Sequence, residues 1–172
     1  MKPAEAAAPP LIARYHQALR VIVRLLAILA GAGLMVMVLV TTADVVLRAA
    51  RLSKAGAYDI VKIVAAVTLA AALPYTTAVK GHVAIEYFFH KLGRHGRIAV
   101  DTAMRLTVMA LFTVLAWGSL RYGRSLWQSQ EVSLTLQWPI FWVPWVIAFS
   151  CVLVVLITLY HLTHPGKEFM KP

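Results

Sequence analysis

From Leu25 to Ala43 the chain carries no charged residue. At about 1.5 Å per residue, a helix over that run matches the roughly 30 Å hydrocarbon thickness of a bilayer. Such a run can be a membrane span or a fully buried core helix, and composition decides between them. Of the 172 residues 60% are apolar and only 14% charged, with a mean hydropathy of +0.74, well outside the range of soluble domains. The chain therefore reads as an integral membrane protein. Its first apolar run is too long for a signal-peptide core and is expected to be retained as a span.

Three further apolar runs follow. Ile63 to Val79 reaches membrane length if its helix starts near Tyr58 and Lys62 extends its ammonium to the interface. Pro74 lies within it and should bend it, freeing the carbonyl of Ala70. Leu106 to Leu120 is short, so its helix is expected to begin near Ile98 and to take in Asp101 and Arg105 as an i, i+4 ion pair. The last run, Val132 to Tyr160, is longer than one crossing. Within it Pro139 fits a helix start and Pro144 a bend one turn later, with Trp138, Trp142 and Trp145 on one face as an interfacial aromatic belt.

Between the second and third runs lies the densest interior cluster of polar residues, Lys80-Gly81-His82-Val83-Ala84-Ile85-Glu86. After the Gly81 turn, Ile85, Phe88, Phe89 and Leu92 recur at i, i+3, i+4 and i+7, the pattern of a short amphipathic helix lying in the interface plane. The fold class is thus all-α integral membrane: four transmembrane helices, about 21–43, 58–79, 98–120 and 137–161, with an interfacial helix over about 84–93. They form one membrane domain, 19–164, between a disordered N-terminal tail, 1–18, and a short tail, 165–172.

Four spans put both termini on one side. The flanks on that side hold Lys2, Arg14, Arg20, Arg24, Lys80, Lys91, Arg94, Arg97, Lys167 and Lys171. The opposite side has Arg48, Arg51, Lys54, Arg121 and Arg124. The positive-inside rule makes the richer side cytoplasmic. A formal net charge of +10 could suggest nucleic acid, but the cations sit at span ends rather than along one polar face, so they read as membrane-surface anchors and no nucleic-acid partner is expected.

Motifs that carry chemistry are scarce. The chain has no G-x-S-x-G, H-E-x-x-H or Walker A pattern, and its single cysteine, Cys151, has no partner. All six histidines fall on the cytoplasmic side, in a tail, a turn and a helix end, whereas haem ligation in a bundle requires histidines on facing helices. Neither a cofactor nor a metal is expected. Asp44 and Arg48, one turn apart at the outer end of the first span, read as an interfacial pair that either stabilises the helix end or meets a partner subunit. Asp59 suits the positive end of a helix dipole. Ala27, Ala30, Gly31 and Gly33 permit close approach of another helix, within the chain or from a partner.

Taken in order, Asp44-Val-Val-Leu-Arg48 ending the first span, Asp59 opening the second, Gly81-His82-Val83-x-x-Glu86 after it, and Trp138-Pro139-x-x-Trp142-x-Pro144 opening the fourth resemble the small membrane subunit of tripartite ATP-independent periplasmic (TRAP) transporters, the DctQ-like family. The resemblance covers about Leu19 to Tyr160. Alanine follows Arg48 where the family usually has an aromatic residue, and Asp59 stands where glutamate is usual. It implies a non-enzymatic bacterial inner-membrane protein, partnered by a large permease subunit that carries the substrate and sodium sites and by a periplasmic solute-binding protein that delivers an organic acid. The small subunit would be a static scaffold.

Two other classes fit four spans. A stand-alone small multidrug transporter needs a carboxylate embedded in its first span, and Leu25 to Ala43 has none. A haem-binding electron carrier is disfavoured by the histidine positions. The purified protein is expected to show no Soret absorption band, and a stoichiometric one would establish the haem reading instead.

Overall fold

The computed structural model describes residues 10–50, 52, 56–79 and 94–163. Among these residues there are four helices: α1 (Pro10–Ala49), α2 (Ala57–Ala78), α3 (Arg94–Ser129) and α4 (Trp142–Thr163). Each is long and apolar enough to cross a membrane, and among the described residues there is no strand beyond an isolated bridge between Val132 and Pro139. The expected interfacial helix, with Gly81, His82 and Glu86, lies outside the described residues.

Two helices far exceed one crossing. α1 has 40 residues and α3 has 36, giving lengths of about 60 and 54 Å. Charged residues that mark the end of an apolar run do not end the helix, because outside the hydrocarbon layer they cost nothing and the backbone can keep its i→i−4 bonds. α1 accordingly starts at Pro10, inside the stretch expected to be a disordered tail, and α3 starts at Arg94 rather than near Ile98. α3 also runs on to Ser129, so the connection to α4 is residues 130–141.

α1 packs on α2, α2 on α4, and α4 on α3. With alternating direction along the chain, α2 and α4 run parallel at the centre. α4 is the most enclosed helix, while α1 and α3 are mostly exposed. At the end shared by both termini, Leu19 and Val23 of α1 meet Ala78 of α2 and Leu153 and Ile157 of α4 in one buried cluster. Arg105 and Asp101 form the expected i, i+4 pair at 2.8 Å. Arg105 also donates to the carbonyl oxygen of His161, satisfying an orphan acceptor in the last turn of α4 and tying α3 to it.

α1 shows two faces. Leu26, Ala30, Gly33, Met37 and Val40 are buried or half-buried at alternating spacings of four and three, whereas Leu25, Ile28, Met35, Leu39 and Val46 are exposed on another face. Gly33 is where the α1–α2 approach is tightest, since a side chain there would overlap the Thr68 hydroxyl of α2. Gly31, two residues earlier, faces open space. The small-residue pattern therefore serves intrachain packing at Gly33.

α2 continues without interruption through Pro74, which is itself buried. Thr76 and Thr77 bond back to the carbonyls of Ala72 and Leu73 at 3.1 and 2.9 Å, so their hydroxyls are satisfied inside the apolar layer. Gly33→Val should force α1 from α2 and cost about 1–3 kcal/mol, as overpacking typically does. Gly31→Val should stay within about 0.5 kcal/mol of the wild type. Unfolding in mixed micelles checks this, and equal effects would contradict the assigned packing face.

Candidate functional site: a clasped loop between the last two helices

The connection between α3 and α4 is ordered by its own backbone before it touches anything else. α3 ends in a Schellman arrangement: the Glu131 amide donates to the Leu126 carbonyl (3.2 Å) and the Gln130 amide to that of Trp127 (3.4 Å). Gln130 takes the left-handed conformation that this requires, with φ 52°, and its side-chain amide also reaches Trp127 O at 2.9 Å. The chain then reverses. The Ser133 amide donates to Trp138 O (2.8 Å) and the Gln137 amide to Ser133 O (3.1 Å), with Gln137 at φ 56°.

The helix that follows starts at Trp142, not at Pro139. Pro144 explains why. A helix begun at Pro139 would put Pro144 in its interior, where the ring clashes with the carbonyl four residues back and one hydrogen bond is lost. Starting at Trp142 places Pro144 in the first turn, where its missing N–H has no intrahelical acceptor to serve. Pro144 is thus a start residue rather than a bend, and Pro139 sits in the bridge opposite Val132. Trp138, 55% exposed, belongs to the loop, so it does not share a helical face with Trp142 and Trp145.

Asp59 holds this loop from across the molecule. Only 4% exposed, its carboxylate Oδ2 accepts bonds from the Thr135 amide (2.8 Å), the Leu136 amide (3.1 Å) and the Ser133 hydroxyl. One carboxylate thus satisfies two turn amides that would otherwise be open, in a geometry suited to charge-assisted bonds. It also lies in the first turn of α2, where a negative charge complements the helix dipole. Gly56, just before α2, completes the contact. Its φ of 132° is a conformation that side chains rarely adopt, and a Cβ there would press on Leu136.

Aromatic packing secures the loop on its other flank. Trp127 of α3 meets Phe141 edge-on (centroids 4.5 Å apart) and stacks on Trp145 of α4 at 6.0 Å. Phe141 and Trp145 are 5.5 Å apart, all within the range of favourable ring pairs. Gly123 makes room, because a side chain there would collide with the Trp145 indole.

Of the residues singled out in the sequence, Asp59, Trp142 and Pro144 fall at or beside this assembly, with Trp138 and Pro139 in its loop. Asp44 and Arg48 form their pair at 2.8 Å at the far end of α1, with Arg48 exposed. That pair contributes about 0.3–0.5 kcal/mol to the helix end. Ser133, Thr135, Leu136 and Gly56 were not legible as functional positions, since Ser133 and Thr135 sit inside an apolar run and pair with a residue more than seventy positions away. Asp59→Ala should lower the thermal midpoint by several degrees, whereas Asp59→Glu, which keeps the acceptor, should retain most of it. An alanine variant as stable as the wild type would show the clasp to be dispensable.

The arrangement places hydrogen-bonding groups at a helix end and a loop, with no nucleophile–base pair. Among the described residues no group of three potential metal ligands occurs. Comparison with known families supplies the context. Residues 37–165 match the family model described as tripartite ATP-independent periplasmic transporters, DctQ component. No curated protein and no solved structure matches the chain. The match spans Asp44 through Pro144 and three of the four described helices in full, together with the C-terminal part of α1. A transporter component of this kind is not an enzyme, and its four apolar helices make it a multi-pass inner-membrane protein. The chain belongs to the DctQ family, the small permease component of TRAP transporters.

Proposed function

We propose that this chain acts as a non-catalytic scaffold for a large permease subunit in sodium-coupled uptake of an organic acid delivered by a periplasmic binding protein. The observation that carries this reading is the distribution of burial and charge. The outer helices α1 and α3 leave long apolar faces uncovered, including Leu25, Ile28, Met35 and Leu39 on α1 and Val114 and Trp117 on α3. No charged residue lies in the middle of any span: Leu25–Ala43, Ile63–Val79, Leu106–Leu120 and Trp142–Tyr160 carry no Asp, Glu, Lys or Arg. A coupling-ion or substrate site at mid-membrane needs such groups or broken helices.

The excess of Lys and Arg on the side of the termini supports an orientation with both termini cytoplasmic and the clasped loop periplasmic. The loop held by Asp59 and the connection after Arg48 then face the docked binding protein. Outside the described residues, Gly81, His82 and Glu86 fall on the cytoplasmic side, where His82 would orient the surface segment rather than touch substrate.

A tagged large permease should co-purify this chain in a one-to-one complex, and a chain that stays monomeric with that subunit present would refute the scaffold reading. His82→Ala should reduce complex recovery without altering which substrate is transported. A changed substrate preference in uptake assays would count against it.

A further inference from the structure

α2 and α3 flank α4 at the outer end and leave between them a cleft of about 430 Å³. Its composition changes along the helix axes. Its lining toward the middle of the spans includes Ile63, Ala66 and Ile147 with Ser119, and toward the helix ends that carry the loop it includes Tyr58, Tyr122, Lys62 and Glu131. Apolar below and polar with tyrosines above is the gradient of the bilayer itself at the interface.

Two charges at the mouth are notable for what they lack. Among the described residues neither Lys62 nor Glu131 forms an ion pair, with each other or with any other side chain. Nearby Asp59 is engaged by the loop. Lys62 stands one turn into α2, and its side chain leaves the helix toward the N-terminal end, so the ammonium rises toward the headgroup level while its methylenes stay in the apolar layer. A cation and a carboxylate thus line one cleft without pairing with each other.

We propose that this cleft holds one phospholipid with a zwitterionic amino headgroup. An acyl chain lies against Ile63, Ala66 and Ile147, the phosphate meets Lys62, and the ammonium meets Glu131. Charge complementarity selects the occupant. A purely anionic lipid would bring its phosphate to Lys62 but leave Glu131 facing like charge, and a free anion would leave the apolar floor uncovered.

Native mass spectrometry of the full-length chain, titrated with phosphatidylethanolamine or phosphatidylglycerol, tests this. The wild type should retain one phosphatidylethanolamine in preference to phosphatidylglycerol, and inorganic phosphate should not displace it. Lys62→Gln should weaken retention of both lipids, by about fivefold for the loss of one cation near the surface. Glu131→Gln should weaken phosphatidylethanolamine alone and abolish the preference. Ile147→Trp, which fills the cleft floor, should remove the one-to-one species. Equal binding of both lipids unaffected by Lys62→Gln, displacement by phosphate, or a cross-link from Ala66→Cys to a large permease subunit in place of lipid would overturn the proposal.

Discussion

The half of this protein away from its termini depends on one buried carboxylate. Asp59 sits where α2 begins and receives two amides and a hydroxyl from the loop that leads into α4. Because a buried, unpaired carboxylate or amide is costly, the two sides hold each other in place: the loop is ordered by the acceptor, and the acceptor is tolerated because the loop surrounds it. The consequence is geometric. Fixing residues 133–136 over the start of α2 also fixes where Trp142 can begin α4, so the two central helices are set side by side at one end.

Inside a bilayer, apolar side chains gain little by leaving lipid for protein, so helices associate through close packing and polar ties. Both occur here. Gly33 brings α1 against Thr68, and Gly123 brings α3 against Trp145. At the opposite end from Asp59, Arg105 closes the last turn of α4 by way of His161. α4 is thus held at each end by a polar contact from a different neighbour, while the outward faces of α1 and α3 stay uncommitted. A packed centre with open flanks is consistent with the scaffold role proposed above.

Much of this was legible in the residues. The four spans follow from uncharged runs of bilayer length, and both i, i+4 ion pairs, Asp44–Arg48 and Asp101–Arg105, lie where helical spacing puts them. Local periodicity carries such features in full. The clasp was only half legible: Asp59 could be assigned to a helix start, but its partners are hidden in an apolar run whose hydropathy gives no hint of a turn. The start of α4 at Trp142 rather than at Pro139 depends on Pro139 and Pro144 jointly. Considered together they exclude a helix beginning at Pro139, since only one of two prolines five residues apart can occupy the first turn. α1 and α3 extend past their apolar runs for a different reason, since charge marks where the bilayer stops and not where the helix does.

Hydrogen exchange at the amides of Thr135 and Leu136 tests most directly whether Asp59 holds the loop in the isolated chain. In the purified chain, without partners, these two loop amides should exchange as slowly as those within α4, and Asp59→Ala should release them to the rate of open loops while α4 stays protected. Fast exchange of both amides in the wild-type protein would contradict the account, because the loop would then be free of the carboxylate that is taken here to hold it.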